Sequence, residues 1–314
     1  MPVFRFVPLR RAGIRLTILA VARALSRRPV ALAVAMALVS SLNAPPSRAA
    51  SSCGPTYAPA IKTLGGLPAG TSEASGFAAS SRHPGWGWMI RDSGHPASLY
   101  AVRVDASGGI RAVREVKVPG AQNRDWEDVN YTVGADGRPR LWAIESGQSG
   151  GTPYIYEILE PDPATAKTAT LLHRHAYAYP DLGYANTEAS FFYGGQLVLV
   201  TKTAPGRVYR FEKPLSDRTV NRPAFVGTLP GAIRISVARL SPDKSVLITA
   251  THTTMTAYRS AGGQSLTALM RSQPVVVRKV SPGDNVEAGD FIPWAHCNFL
   301  LLAESKTTYW LRSL

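Results

Sequence analysis

NTEASFFYGGQLVLVTKTAPGRVYRFEK, residues 186–213, contains three short runs of β-branched and aromatic residues, EASFFYG, QLVLVTK and RVYRFEK. Gly, Pro and small polar residues separate the runs, as they do where strands are joined by turns. A fourth run, PAFVGTLPG, follows at residues 223–231. The stretch therefore predicts four consecutive antiparallel strands.

The same four-strand pattern recurs along the chain. Each copy opens with an acidic or polar anchor four positions before an apolar or aromatic residue, at spacings of 48 to 61 residues. The anchors are Glu73, Glu127, Glu188, Ser236 and Glu287. Repetition at this period is typical of a β-propeller. We predict an all-β protein with five four-stranded blades; the 61-residue interval leaves six blades open, and a β-sandwich with coincidental repeats is the other alternative.

The last copy has only three strands before the chain ends at Leu314. AIKTLGGLPAG, residues 60–70, precedes the first anchor just as AFVGTLPGA precedes the fourth. We therefore predict that this N-terminal strand completes the last blade and leaves no long unpaired sheet edge.

The chain has two cysteines, Cys53 and Cys297, and their positions test this closure. Strand parity places both on one face of the last blade, and in an oxidising compartment they are expected to form one disulfide. Lipidation of Cys53 is the alternative, although Ala50 stands where a lipidation signal has Leu.

Residues 1–50 have the composition of an export signal. They contain eight Arg and no Asp, Glu or Lys, followed by an apolar run at residues 30–42 and a small-residue exit near Ala50. Such a run is too short to span a membrane. We predict a cleaved signal peptide over 1–50, a single domain over 51–314, and a secreted or periplasmic location; Arg27-Arg28 leaves the twin-arginine and general secretory routes open.

The net charge of +14 belongs mostly to this leader, and the remainder carries about +6. No basic run or aromatic-interleaved basic patch follows, so nucleic acid is not an expected partner. Nothing in the pattern indicates an oligomer, and we expect a monomer.

The anchors begin the innermost strands, so Glu73, Glu127, Glu188 and Glu287 are predicted to ring the axis. Acidic neighbours Asp125 and Asp128 are expected beside them as further metal ligands. Crowded carboxylates need protons, cationic side chains or a bound cation, and oxygen-only ligands favour Ca²⁺. The alternative is that the anchors only bond the backbone of the next blade. Turn residues on the same face are candidates for ligand binding: Asp92, Glu145, Lys202 and His252.

Several motifs resemble a known family. TSEASGFAASSRHPGWGWMIRDSG, NRDWEDVN, NTEASFF and LSPDKSVLITATHT look like secreted bacterial propellers of the "esterase-like activity of phytase" family. The ring of glutamates is also similar in pattern to calcium-activated nucleotidases (apyrases), which hold calcium in a five-bladed propeller. These resemblances imply a propeller and a phosphoesterase. The sequence departs from the first family where such proteins often carry GDIGDN, since here it is AIESGQSGG, and Ser236 interrupts the carboxylate ring.

Two functions follow. The first is an exported binding protein or scaffold with a central cation site and an unidentified ligand on the anchor face. The second is a calcium-dependent phosphoesterase in which the metal polarises a phosphoryl group and generates hydroxide, and Lys202 or Arg91 holds the anionic substrate. The fold does not choose between them.

Overall fold

The computed structural model describes residues 53, 57, 62–146, 151–212, 214–229, 234–259, 265–280, 285–295, 297–305 and 307–313. The predicted leader lies outside the described residues. No helix of the described part is long and apolar enough to cross a membrane.

Nearly all regular structure in the described part is β. The strands are β1 (Lys62–Gly66), β2 (Ala74–Ala79), β3 (Trp86–Arg91), β4 (Ser98–Val104), β5 (Ile110–Lys117), β6 (Trp126–Val133), β7 (Pro139–Glu145), β8 (Tyr154–Leu159), β9 (Thr170–Ala176), β10 (Thr187–Tyr193), β11 (Gln196–Thr201), β12 (Arg207–Arg210), β13 (Ala224–Thr228), β14 (Val237–Leu240), β15 (Val246–Ala250), β16 (Thr254–Arg259), β17 (Pro274–Lys279), β18 (Val286–Ile292), β19 (Asn298–Ala303) and β20 (Thr307–Leu311). One short helix, α1 (Leu266–Met270), and a 3-10 turn at Pro293–Ala295 complete the elements.

The strands form five four-stranded antiparallel sheets, so the prediction of a five-bladed propeller is confirmed. Blades 1 to 4 are β2–β5, β6–β9, β10–β13 and β14–β17, each in chain order from the innermost strand outward. Innermost strands pack against one another in a closed circle, β2, β6, β10, β14, β18 and back to β2.

Blade 5 is closed by the N-terminal strand, as predicted. Its order is β18, β19, β20, β1, and β1 pairs antiparallel with β20 from Lys62↔Trp310 to Gly66↔Thr307. Cys53 and Cys297 form the predicted disulfide, with their Cα atoms 5.4 Å apart. The bond excludes lipidation of Cys53 in this form of the protein, and it fits an oxidising, exported environment.

The hydrophobic core lies between neighbouring blades. Trp88 of blade 1 shares a buried cluster with Trp126 of blade 2, and Phe77 of blade 1 shares another with Leu302 of blade 5. Further clusters join blades 2 and 3, 3 and 4, and 4 and 5. The apolar second strand of each blade is buried because it packs against the neighbouring blade. The polar ends of the innermost strands face the axis.

The innermost strands also approach closely. A Cβ atom on Gly76 would lie 2.6 Å from the backbone nitrogen of Val129 in the next blade. Only glycine allows this contact, which holds β2 against β6 at the site described below.

Candidate functional site

A β-bulge at the start of four innermost strands determines which side chains face the axis. The pairing register shifts between Ala74 and Gly76, Trp126 and Asp128, Thr187 and Ala189, and Val286 and Ala288. Each bulge inserts one residue, and a bulge re-aims the side chain that it carries. The four inserted residues are Ser75, Glu127, Glu188 and Glu287. In contrast, β14 pairs with β15 without a shift, and blade 4 has Ser236 and no carboxylate at this place.

Glu73, predicted as an anchor of this ring, lies two positions before the bulge. Its carbonyl accepts a hydrogen bond from the N–H of Asp92, as the carbonyl of Asn186 does from Lys202. The Glu73 side chain is 55% exposed and lies 2.7 Å from His95 Nε2. The structure thus places Ser75, and not Glu73, at the position of the other three glutamates.

Three carboxylates converge on one side of the axis. Asp92, which follows β3, meets Asp125 and Glu127 at the start of β6, and one oxygen of each lies within 4.8 Å of the others. Asn123 fixes their relative position, because its amide donates to the carbonyls of Arg91 and Asp92 at 2.9 Å and accepts from the N–H of Trp126. We call Asp92, Asp125 and Glu127 the carboxylate cluster.

The carboxylate cluster is crowded with negative charge. Burial, followed by the charges of Glu188, Asp92 and Asp125, raises the pKa of Glu127 well above its ordinary value. Burial also raises the pKa of Asp125, against the opposing hydrogen bond from Ser146. Among the described residues, none forms an ion pair with a member of the cluster. Ser75 Oγ donates a hydrogen bond to Glu127 Oε2 at 3.0 Å. Among the described residues, this is the one hydrogen bond from blade 1 to the Glu127 carboxylate.

The other half of the ring contains its own cations. Lys202 Nζ lies 3.0 Å from Glu188 Oε2 and 3.4 Å from Glu287 Oε1, and His252 Nε2 lies 2.7 Å from the same Glu287 oxygen. Burial, and then the charge of Glu287, raises the pKa of Glu188 to about 7. Burial lowers the pKa of Lys202, but Glu287 and Glu188 outweigh it and the net shift is upward. This half is therefore close to neutral.

Two predicted site residues have other partners. Asp128, next to the bulge, accepts hydrogen bonds from Arg239 at 2.8 and 2.5 Å and from the N–H of Ser190 at 2.7 Å. Glu145 is fully buried, where Arg124 Nε donates to it at 2.5 Å and Tyr156 OH at 2.8 Å. Neither belongs to the carboxylate cluster.

An open cleft of about 500 Å³ adjoins the neutral half of the ring. His252, Asn285, Arg234 and Ile235 line it together with several hydroxyl residues. The hydroxyl residues are Thr249, Thr251, Thr253, Thr254, Thr256 and Tyr258. The cleft is polar and carries few full charges.

Sequence reasoning did not identify Ser75, Asn123 or Arg239. Arg239 left a signal, since a charged residue inside the small, apolar run SVARL of an innermost strand needs a buried partner. The sequence contains no such signal for Ser75, because its place in the ring depends on the bulge.

Comparison with known proteins gives no family. No protein-family model matches the chain, and no curated protein matches its sequence. The resemblance to esterase-like phytase propellers is therefore not confirmed.

Solved structures resemble the fold only loosely. An aldose sugar dehydrogenase from Streptomyces coelicolor, in its PQQ-bound form, is 10% identical with a TM-score of 0.48, covering 82% of this chain and 99% of that chain. A putative oxidoreductase (glucose dehydrogenase) from Thermus thermophilus is 8% identical with a TM-score of 0.46, covering 82% and 100%. A gluconolactonase from Xanthomonas campestris is 13% identical with a TM-score of 0.42, covering 75% and 70%. Similarity at these low identities and TM-scores does not indicate an activity for this chain.

Proposed function

We propose that the protein is a calcium-binding propeller that binds a ligand on the face of the carboxylate cluster. The observation that carries the proposal is the convergence of Asp92, Asp125 and Glu127 within 4.8 Å, with no cationic side chain of the described residues paired to them. Glu127 is buried and Asp92 and Asp125 are partly buried, and a divalent cation offsets the mutual repulsion of such carboxylates.

The donor set favours calcium over a transition metal. All three side chains offer only oxygen, and Ca²⁺ accepts about 6–8 oxygen ligands in flexible geometry. Three carboxylates leave coordination positions for water and for a ligand oxygen. The polar cleft beside His252, next to the other half of the ring, adds hydroxyl and amide groups to the same face.

Binding is favoured over phosphoester hydrolysis by the surroundings of Lys202. A phosphoesterase needs a second positive group free to hold the phosphoryl oxygens. Lys202 is already placed between Glu188 and Glu287. The Arg91 guanidinium donates to the carbonyl and hydroxyl oxygens of Ser72, so both candidate cations already have partners within the protein.

Thermal unfolding in calcium and in chelator tests the proposal. Calcium at about 100 times its Kd contributes about 2.7 kcal/mol of stability, which for a chain of this size raises Tm by several degrees. Glu127→Gln and Asp125→Asn are expected to abolish the shift. Glu73→Gln is the matched control and retains it, because Glu73 lies outside the cluster.

A phosphomonoester and nucleotide hydrolysis screen on the same samples separates the two functions. Calcium stabilisation without turnover supports the binding protein. Calcium-dependent turnover that Glu127→Gln removes would replace it with the phosphoesterase, and the absence of any calcium shift would refute the cation site itself.

A further inference from the structure

A second cavity lies between blades 2 and 3, away from the carboxylate cluster. Its volume is about 540 Å³, and the β6–β7 turn at residues 133–135 lines it, so it opens on the opposite face of the propeller. Cavities of about 300–1,000 Å³ with mostly apolar walls and a few polar groups are typical of small-molecule sites. The apolar part of the walls consists of Trp142, Phe192, Leu197, Phe211 and Leu215, and Thr132, His173 and Glu212 also line the cavity.

The aromatic side chains are arranged to hold a flat molecule. The rings of Trp142 and Phe192 lie 5.5 Å apart between centroids, and Trp142 is stacked on His175 at 6.2 Å. Aromatic rings of a ligand pack favourably in offset or tilted arrangements at such distances.

One corner of the cavity is polar and deeply buried. Glu157 and His175 side chains are only 7% and 4% exposed. Arg140 Nη1 lies 2.8 Å from Glu157 Oε1, whereas His175 Nε2 lies 3.6 Å from Glu157 Oε2, beyond hydrogen-bond distance. Within the described part of the chain, neither His175 Nε2 nor Arg140 Nε has a hydrogen-bond partner, and both atoms are buried.

The tautomer of His175 determines which hydrogen-bonding partner the corner lacks. His175 Nδ1 lies 3.1 Å from the carbonyl of Ser216, and because a carbonyl only accepts, Nδ1 carries the hydrogen. Nε2 then needs a partner in the gap next to the Glu157 carboxylate. A hydroxyl group satisfies this corner, since its hydrogen is donated to Nε2. An unpaired buried polar atom is costly, so the corner favours an occupant.

We propose that this cavity binds a small hydroxylated aromatic molecule of the phenol class, with the ring against Trp142 and Phe192 and the hydroxyl at His175 and Glu157. The site is independent of the carboxylate cluster and of calcium. The ligand would contact the polar corner formed by Arg140, Glu157 and His175, three residues that play no part in the proposed function.

Calorimetric titration with p-cresol tests this site, and toluene is the matched probe because it has the same ring and methyl group without the hydroxyl. We expect saturable one-site binding of p-cresol, and about 10-fold or more weaker binding of toluene, the loss expected for one buried hydrogen bond. Addition of calcium or chelator leaves both values unchanged.

Two variants locate the binding. His175→Leu removes Nε2 at similar volume and is expected to reduce the preference for p-cresol over toluene to about 2-fold or less. Leu215→Trp fills the cavity and is expected to abolish binding of both probes. His83→Gln changes a histidine on the same face of blade 1 and retains wild-type binding.

The proposal is overturned if p-cresol does not saturate, if toluene binds equally well, or if Leu215→Trp leaves binding intact. Should His175→Leu fail to fold, the comparison of the two probes on the wild-type protein and the Leu215→Trp result decide the matter.

Discussion

Glu127 and Glu188 occupy the same place in neighbouring blades, yet their neighbours differ. Glu188 faces Lys202 at 3.0 Å, whereas Glu127 faces Asp92 and Asp125. Both carboxyl groups have raised pKa values, chiefly through burial. Glu188 has an ion-paired lysine, whereas Glu127 has no ion-paired cation among the described residues, which is why the cation site is assigned there.

These raised pKa values predict how stability changes with pH. The pKa of Glu188 is about 7 in the folded protein against an ordinary 4.5, so between these values the folded state binds more protons than the unfolded state. The free energy of unfolding then falls as pH rises through this window. Asp290, whose pKa burial raises to about 6, acts in the same direction.

We therefore expect the Tm in chelator to be lower at about pH 8 than at about pH 5. Glu188→Gln is expected to flatten part of this slope, and calcium to offset it, since calcium binds the deprotonated cluster. A Tm in chelator that rises from pH 5 to pH 8 in the wild-type protein would contradict this assignment.

At the scale of the strand, the bulge links backbone register to function. It turns Ser75, Glu127, Glu188 and Glu287 toward the axis, whereas β14 has no bulge and begins after Ser236. The hydrogen bond from Ser75 to Glu127 connects the first two of these bulges and favours the charged form of Glu127.

Ser75→Ala tests the role of this bond. Its loss raises the pKa of Glu127 further, so calcium must displace a proton and its affinity at neutral pH is expected to fall several-fold. Stability in chelator is expected to fall by about 1 kcal/mol. Calcium titration and urea unfolding measure the two effects.

Ser236→Ala is the control for this experiment. Ser236 is also buried, and its hydroxyl donates to the carbonyl of Val286 at 2.5 Å, but it does not contact the cluster. Ser236→Ala is expected to lower the stability in chelator about as much as Ser75→Ala does, and to leave the calcium affinity unchanged. Equal loss of affinity in both variants would show that the effect of Ser75 is not specific to Glu127.

The strands themselves could be predicted because their side-chain patterns are local. Runs such as QLVLVT and NFLLLA repeat once per blade, and the N-terminal KTLGG matches the fourth strand of other copies. Blade number, closure and the disulfide follow from these repeats and from strand parity.

The site could be predicted only in part, because a bulge leaves no local pattern. Glu73 and Ser75 differ by two positions in sequence, and only the pairing of β2 with β3 shows which of them faces the axis. The pairing of Asp128 with Arg239, from different blades, depends likewise on how the ring closes. The export signal stays a prediction.

For the whole molecule, Arg239 joins the blades at the axis. This side chain is 4% exposed and donates to Phe77 of blade 1, to Asp128 and Val129 of blade 2, and to Ser190 of blade 3. It also bonds the carbonyl of Ala238 in its own blade and lies 3.8 Å from Asp290 of blade 5. All five blades therefore contact one guanidinium group.

Replacement of Arg239 by Met is expected to destabilise the protein by about 3–5 kcal/mol, because Asp128 is left as an uncompensated buried charge. Urea unfolding measures this loss. Adding Asp128→Asn removes the charge and should recover part of it. A double variant less stable than Arg239→Met alone would contradict this explanation.

Isothermal titration of calcium into the purified protein at about pH 8, where the raised-pKa carboxyl of Glu127 is more ionised than at lower pH, tests the calcium site itself. The carboxylate cluster predicts one calcium ion per chain, with binding lost in Glu127→Gln and kept in Glu73→Gln. No calcium binding by the wild-type protein, or equal binding by Glu127→Gln, would contradict a cation site at Asp92, Asp125 and Glu127.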